Sequence, residues 1–159
     1  MSDELNLGLL CYIAYRAMES GVLEALEAAG YGDLTAAQGR IAARIGPAGS
    51  RVTELAEQAG VTKQTAGFLV DQLERSGYVE RVPDPSDARA RLVRFAPRGK
   101  AAVAVAHEAE VRIEATWSRH LGKRGTAQLR RALTELREIT DPYRCRPVAP
   151  GRAGSGPPR

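Results

Sequence analysis

The spacing of apolar residues predicts that the first third of the chain is helical. Residues 5–28 have apolar residues at an approximately helical spacing, with charged residues between them, which favours one long helix even though Gly8 and Gly21 weaken the pattern. Thr35 and Gln38 have the spacing of a capping box and predict a short helix that runs to Ile45. The sequence Gly-Pro-Ala-Gly-Ser at 46–50 then predicts a turn.

Residues 53–76 have the pattern of two helices joined by a tight turn. The first helix is predicted over 53–59, and Gly60 supplies the turn. The second helix is predicted from Lys63 to about Ser76, with Thr62 as its N-cap. Its buried face is predicted from apolar residues at i, i+3, i+4 and i+7: Ala66, Leu69, Val70 and Leu73. This arrangement is typical of a helix-turn-helix.

Two short strands with a polar turn between them are predicted next. The strands cover 78–82 and 91–95, and the turn formers Pro-Asp-Pro-Ser-Asp lie between them at 83–87. Pro97 then starts a helix that runs to residue 121, followed by a break at 122–125. Thr126 is predicted to cap a last helix, which carries Leu129, Leu133, Leu136 and Ile139.

These elements predict a fold that is mainly α with a small β wing, a winged helix-turn-helix flanked by N- and C-terminal dimerisation helices. The predicted units are a dimerisation helix at 1–33, a winged helix-turn-helix at 34–100 and C-terminal dimerisation helices at 101–140. Residues 141–159 are rich in Pro, Gly and Arg and are predicted to be a disordered basic tail. Residues 5–28 and 101–139 carry more Leu, Ile and Val than a small winged domain can cover, which favours pairing of two chains over an intramolecular bundle.

The charge distribution favours a nucleic-acid partner. The net charge is +4, but the first fifty residues are net negative and the remainder is net positive. The densest run of cations without an acid comprises Arg89, Arg91, Arg94, Arg98 and Lys100. Cations that gather on one surface neutralise several phosphates of a duplex at once.

The helix-turn-helix predicts which residues contact double-stranded DNA. The second helix turns its N-terminal polar face outward, toward base edges in a major groove, and Thr53 and Thr62 lie near helix N-termini that can meet phosphates. The wing adds cations of a size that fits a minor groove, and Asp87 can orient the Arg89 guanidinium. The predicted DNA-binding residues are Thr53, Thr62, Lys63, Gln64, Thr65, Gly67, Phe68, Asp87, Arg89 and Arg91. A winged-helix protein-interaction module without DNA is the alternative, and the basic wing argues against it.

Residues 34–99 resemble the MarR family of bacterial regulators. The matching segments are L-T-A-A-Q, then R-V-T-E-L-A-E-Q-A-G-V-T-K-Q-T-A-G-F-L-V-D-Q-L-E-R-S-G-Y-V-E-R, then D-P-S-D-A-R-A-R-L-V. The resemblance implies that Arg89 is the wing-tip arginine that enters the minor groove, with Asp87 as its supporting acid. It also implies that residues 63–68 form the outer face of the recognition helix.

The chain departs from the family pattern in two places. Ala96 stands where the family usually has a Thr that caps the helix after the wing, and Pro97 partly offsets that loss. Gly67 and Phe68 on the reading face are unusual, since Gly weakens a helix and Phe has no hydrogen-bonding group. Phe68 either contacts a thymine methyl group or packs inward.

The resemblance further implies a homodimer that binds a palindromic operator, most commonly as a repressor, and that is released by a small aromatic or lipophilic effector. Residues expected to line the effector pocket are Tyr12, Tyr15, Arg16, Tyr31 and Trp117. Plain core packing is the alternative for these side chains.

A redox input through Cys11 is a second possibility, because Cys11 with Tyr12 and Tyr15 is similar to the N-terminal sensing cysteine of the family's peroxide sensors. Such a thiol must be held as a thiolate, and Arg16 is its only close cation in sequence. We expect Cys11 to be buried and inert, and Cys145 has no evident partner.

The sequence argues against other classes of protein. No nucleophile with a base, no phosphate-binding glycine loop and no metal-ligand cluster is evident, so we expect neither an enzyme nor a bound cofactor or metal. The acidic start and the lack of a long apolar run argue against a secretory signal or a membrane span, so we expect a cytoplasmic protein.

Overall fold

The computed structural model describes residues 4–143 as five helices and one two-stranded antiparallel sheet. The helices are α1 (Leu7–Ala28), α2 (Ala36–Ala42), α3 (Val52–Ala59), α4 (Lys63–Arg75) and α5 (Pro97–Thr140), and the strands are β1 (Val79–Asp84) and β2 (Asp87–Phe95). The predicted fold, mainly helical with a small β wing, is confirmed. The predicted tail lies outside the described residues from 144 onward.

The helix starts follow the capping residues in the sequence. The Gln38 amide N–H donates to the Thr35 hydroxyl at 3.3 Å, and the Thr35 N–H donates to the Gln38 side chain at 2.9 Å, so the capping box is present. α1 begins after Asn6, whose side chain accepts the N–H of Leu9. α2 ends at Ala42, three residues before the predicted end at Ile45.

The core lies where α2, α3 and α4 meet the sheet and the neighbouring parts of α1 and α5. Leu55, Leu73 and Val93 are completely or almost completely buried, and the predicted inner face of α4 is buried in full. Leu26 of α1 and Ala102 of α5 join the same cluster. The end helices are therefore attached to the winged lobe, residues 34–100, by their inner turns.

The wing strands are longer than the alternating pattern predicted. Asp84 pairs with Asp87, so the predicted five-residue turn reduces to Pro85 and Ser86. Ser50, which the sequence placed in a turn, forms two backbone hydrogen bonds with Val93, at 3.0 and 2.8 Å. That bridge joins positions 43 residues apart, which local patterns cannot reveal.

α5 is kinked at Gly122, whose φ of 74° and ψ of 165° are not helical. L-residues with a side chain rarely adopt such a positive φ, so glycine permits the bend. The break predicted over 122–125 is therefore correct in position, but it is confined to one residue. The prediction that Thr126 caps a new helix is wrong, because its hydroxyl donates to the Gly122 carbonyl at 3.0 Å from within the helix.

The outer ends of α1 and α5 expose large apolar side chains. We call residues 5–15 and 121–139 the terminal arms. Their exposed members are Leu5, Leu7, Leu9, Leu10, Tyr12, Ile13, Tyr15, Leu121, Leu129, Leu133, Leu136 and Ile139. An intramolecular bundle would bury these side chains, and this structure leaves them uncovered. No helix within residues 4–143 combines the length and the apolar character needed to cross a membrane.

Candidate nucleic-acid interface

The outward face of α4 carries the residues predicted to read DNA. Thr62 caps the helix, since its hydroxyl accepts the N–H of Thr65 at 3.1 Å. Packing of Ala66, Leu69, Val70 and Leu73 inward fixes the rotation of the helix. The side chains turned to solvent are those of Lys63, Gln64, Thr65 and Phe68, while Gly67 is half-buried. Phe68 is 57% exposed, so the inward-packing alternative is wrong.

The two threonines predicted near phosphates lie at exposed helix starts. Thr53 is the second residue of α3 and is exposed. Thr62 is also exposed, and its hydroxyl lies 2.9 Å from that of Thr65 in addition to capping α4. Both threonines therefore place a hydroxyl group at the surface near a helix N-terminus, where the helix dipole favours an anion.

The wing presents two arginines to solvent. Arg89 and Arg91 are exposed on β2, and within residues 4–143 neither forms an ion pair with a carboxylate. Arg94 on the same strand is paired with Glu80 at 2.7 Å. Arg89 and Arg91 are therefore the wing cations whose charge is not already compensated by an acid.

Asp87 supports Arg89 in a different way from the one predicted. Its carboxylate accepts the backbone N–H of Arg89 at 3.0 Å, and it lies 3.7 Å from a guanidinium nitrogen of Arg51. The described residues show no ion pair between Asp87 and the Arg89 guanidinium. Asp87 thus fixes the main chain at the wing tip, and the Arg89 side chain extends into solvent.

A buried carboxylate at the base of the wing was not predicted as functional. Asp84 accepts hydrogen bonds from Arg51 Nη2 at 2.6 Å and Nε at 2.9 Å, and from the N–H and hydroxyl of Ser86 at 2.8 and 2.7 Å. The Ser86 hydrogen bonds, followed by that of Arg51, hold the pKa of Asp84 at about 2. The Asp-Pro-Ser sequence signalled the turn, but nothing local signalled Arg51, which lies 33 residues earlier.

Arg81 joins α4 to the wing. On β1, its guanidinium pairs with Asp71 at 2.6 Å and with Glu74, both on α4. Its backbone N–H also donates to Glu74 at 3.1 Å. Arg81 therefore compensates two acids on α4, which would otherwise repel an anionic partner.

A cavity of about 470 Å³ lies between α1, α2, α5 and the sheet, and its lining is mainly apolar. Of the five predicted effector residues, Tyr15 lines this cavity, whereas Tyr12, Arg16, Tyr31 and Trp117 are not among its lining residues. Tyr12 is exposed, and the Tyr31 ring packs beside Tyr78 in the core, with ring centroids 6.2 Å apart. Sequence spacing along one helix could not show which side chains face the cavity.

The polar edge of this cavity is an ion pair between α1 and α2. Arg40 Nε and Nη2 donate to the two carboxylate oxygens of Glu19 at 2.7 and 2.9 Å. The Tyr15 hydroxyl donates to Glu19 at 3.0 Å. Arg40 lowers the pKa of Glu19, and burial followed by the Glu19 hydrogen bond raises the pKa of Tyr15. Arg40 and Glu19 were not predicted for this site.

Cys11 is exposed on α1, so the expectation of a buried thiol is wrong. The outer half of α1 packs against too little of the rest of the chain to bury it. Cys145 lies outside the described residues. Within residues 4–143, no three His, Cys, Asp or Glu side chains come together as a metal site.

Comparison with known proteins agrees with this fold. A sequence model of the MarR family matches residues 32–90. Wild-type MarR from E. coli in its apo form is 25% identical, with a TM-score of 0.68 over 84% of this chain and 98% of that chain. A transcriptional regulator from Thermotoga maritima is 28% identical, with a TM-score of 0.58 over 83% and 91%.

A third solved structure shares the fold alone. It is a mutant of MepR from S. aureus bound to an oligodeoxyribonucleotide, 22% identical, with a TM-score of 0.53 over 85% of this chain and 98% of that chain. No curated protein sequence matches the chain significantly. Residues 32–90 therefore match the MarR family, and the described chain has the winged-helix fold of solved MarR-type transcriptional regulators, in agreement with its sequence resemblance.

Proposed function

We propose that the protein is a non-enzymatic transcriptional regulator that binds a palindromic operator as a homodimer, most simply as a repressor. α4 enters the major groove and the wing enters the minor groove. One observation carries this proposal: the winged lobe presents the polar face of α4 together with the uncompensated Arg89 and Arg91. The MepR mutant with the same fold is bound to an oligodeoxyribonucleotide, which supports a DNA partner. A cytoplasmic location stays a prediction.

The terminal arms support the homodimer. Their exposed leucines and isoleucines form an apolar surface that one chain leaves in contact with water. A second copy that pairs arm with arm covers both surfaces at once, because a two-fold interface uses the same patch twice. Two winged lobes related by that axis match the two half-sites of a palindrome.

The cavity between α1, α2, α5 and the sheet supports a small apolar effector. Its volume of about 470 Å³ lies in the usual range for small-molecule sites. The cavity lies between the helices that carry the terminal arms, α1 and α5, and the winged lobe. A bound molecule that shifts the lobe relative to these helices would change the spacing of the two recognition helices in the dimer. An Ala106→Phe variant, which fills the cavity, is expected to make DNA affinity insensitive to any added effector.

The exposure of Cys11 favours the redox input as a second candidate, since an exposed thiol can meet an oxidant. Mass spectrometry after mild peroxide treatment measures this directly. We expect no selective oxidation of Cys11, because Arg16, its only close cation in sequence, lies 3.7 Å from the Glu19 carboxylate and is already paired. Selective oxidation that also released DNA would make redox the input.

The deciding experiment is a titration of the protein with palindromic and random duplexes at several salt concentrations. Specific binding should exceed random binding by about 1,000-fold or more, and log K should fall by about 0.9 per phosphate contact for each unit of log salt. Equal and weak binding of both duplexes would show that the winged lobe serves another partner, such as a protein.

A further inference from the structure

The centre of the exposed ridge of α4 consists of one amide and one aromatic ring. Gln64, Phe68, Asp71 and Arg75 follow one another at helical spacing on the side opposite the buried face. Asp71 is held by Arg81 at 2.6 Å. The Arg75 guanidinium turns back along the helix to the Asp71 carbonyl at 3.3 Å. Gln64 and Phe68 are therefore the ridge side chains without an intramolecular hydrogen bond or ion pair among residues 4–143.

Phe68 can recognise only an apolar group, because its ring has no hydrogen-bond donor or acceptor. In the major groove, the apolar group at base edges is the C5-methyl of thymine. Gln64, one turn earlier, has the amide geometry that pairs with N6 and N7 of adenine. Gln64 and Phe68 lie one turn apart on the same ridge, about 6 Å along the helix axis, so both side chains can contact base pairs of the same half-site.

Gly67 adds an independent observation, because nothing inside the protein requires a glycine there. Its backbone lies within α4 and is absent from the glycines with positive φ. A Cβ built at this position meets no heavy atom within 4 Å. Glycine weakens a helix interior relative to alanine, so the missing side chain is unfavourable for folding. What it does provide is a bare stretch of helix surface next to Phe68, where a duplex can approach closely.

We infer that α4 reads a half-site containing A·T pairs, with Phe68 packed on a thymine methyl, Gln64 bonded to an adenine and Gly67 admitting the duplex to the helix backbone. This inference rests on the proposed function and names the sequence class that the regulator selects. Phe68 is the specificity-determining residue for one thymine in each half-site.

The test replaces thymine by deoxyuridine, which lacks only the methyl group, at one position at a time in the bound palindrome. For the wild type, one thymine in each half-site should be sensitive. Replacing it in one half-site should lower affinity roughly fourfold, the effect expected from the loss of one buried methyl group, and replacing it in both half-sites should lower affinity roughly 15-fold. Phe68→Ala should bind both duplexes equally, and Phe68→Leu should retain part of the discrimination.

The outcomes separate this inference from the proposed function. If the palindrome is bound specifically but no deoxyuridine position matters, or if Phe68→Ala keeps the full discrimination, then Phe68 does not read a methyl group and the inference fails alone. If neither palindromic nor other duplex DNA is bound, both the inference and the proposed function fail.

Gly67→Ala tests the close approach, with Gly39→Ala as a matched control. Gly39 also lies inside a helix, without positive φ and with nothing within 4 Å of a built Cβ. Each variant should raise the melting temperature by about 2–4 °C, because alanine favours the helix. Gly67→Ala alone should lower palindrome affinity, by roughly tenfold. Unchanged affinity in Gly67→Ala would overturn the close approach.

Discussion

The winged lobe and the terminal arms contain similar apolar residues, but the lobe buries these side chains and the arms expose them. In the lobe, Leu55 and Leu73 are no more than 1% exposed, whereas Leu7 and Ile139 in the arms are 80% and 84% exposed. Each buried leucine stabilises a fold by roughly 1.5–3 kcal/mol relative to an exposed one. The lobe therefore realises this stabilisation within one chain, and the arms can realise it only against a second surface.

The division also separates two kinds of chemistry. The lobe carries Arg89 and Arg91, the uncompensated cations of the wing, beside the outward face of α4, so this part of its surface is suited to an anionic partner. The arms carry the apolar surface, so their partner is another apolar surface. A substitution in the lobe should weaken DNA binding without changing dimer formation. A substitution in the arms should prevent dimer formation and thereby also weaken binding to palindromic DNA, which needs both lobes.

The largest effect is expected from Leu133→Asp in the C-terminal arm. A charge placed in a paired apolar surface opposes dimer formation, and loss of the second half-site removes the roughly 100- to 10,000-fold gain of bivalent binding. Sedimentation should show a monomer, and titration should show the affinity loss. Arg131→Asp is the control, because it puts the same acid on the opposite face of the helix. A dimeric Leu133→Asp variant would place the interface elsewhere.

Two leucine truncations should distinguish the regions by stability. Leu73→Ala opens a cavity in the lobe core and should lower the free energy of unfolding by about 2–5 kcal/mol. Leu136→Ala, on an exposed arm position, should leave the stability of the monomer unchanged within about 0.5 kcal/mol and weaken the dimer instead. Denaturant unfolding over a range of protein concentrations measures both. Equal losses in dilute protein would contradict the contrast.

Arg89→Ala should reduce DNA affinity by roughly 10- to 100-fold with the dimer intact, since a minor-groove arginine contact accounts for about 1–3 kcal/mol. Arg94→Ala is the matched control: it removes the same charge from the same strand, but its guanidinium is already paired with Glu80. Titration of both variants measures the difference. Equal losses would mean that net charge, and not the wing tip, governs binding.

The smallest effect is expected from Asp84→Asn at the base of the wing. Ser86 and Arg51 hold the pKa of Asp84 at about 2, below its ordinary value of 3.8. A pKa lowered in the folded state adds stability above about pH 4, and that stability is lost as the pH falls toward 2. The wild type should therefore melt higher than the variant at pH 7, and the gap should close by about pH 2.

Melting curves from pH 7 to pH 2 measure this gap. Glu135→Gln is the control, because Glu135 forms an exposed ion pair with Arg131, and such pairs contribute little to stability. A gap for Asp84→Asn that stayed constant with pH would show that the lost contact, and not the charge, matters.

Local patterns predicted the parts of the fold that depend on neighbours in sequence. The capping box at Thr35, the cap at Thr62 and the inner face of α4 were all confirmed, because each depends on residues within about two turns. The end of α2, the length of the wing strands and the role of Thr126 were wrong. The length of the strands depends on pairing between β1 and β2, and the role of Thr126 depends on a single non-helical residue, Gly122.

The residues of the candidate site also fall into those that local sequence predicted and those that it could not. The sequence predicted the outward residues of α4 and the wing arginines, whose contacts with DNA stay predictions. It could not predict that Arg51 anchors Asp84, that Arg81 compensates Asp71 and Glu74, or that Glu19 and Arg40 border the cavity. The Arg51–Asp84 and Glu19–Arg40 pairs join residues more than 20 positions apart. Their charges look like ordinary surface charges until the fold brings them together.

The sequence by itself determined the resemblance to the MarR family, the order of the elements and the buried face of α4, because apolar periodicity and capping act over a few residues. Only the tertiary structure decided which cations remain uncompensated, that Phe68 points outward and that the arms stay uncovered. Those properties depend on what lies across a helix or strand from each side chain. That neighbour is fixed by packing of the whole chain and not by position along it.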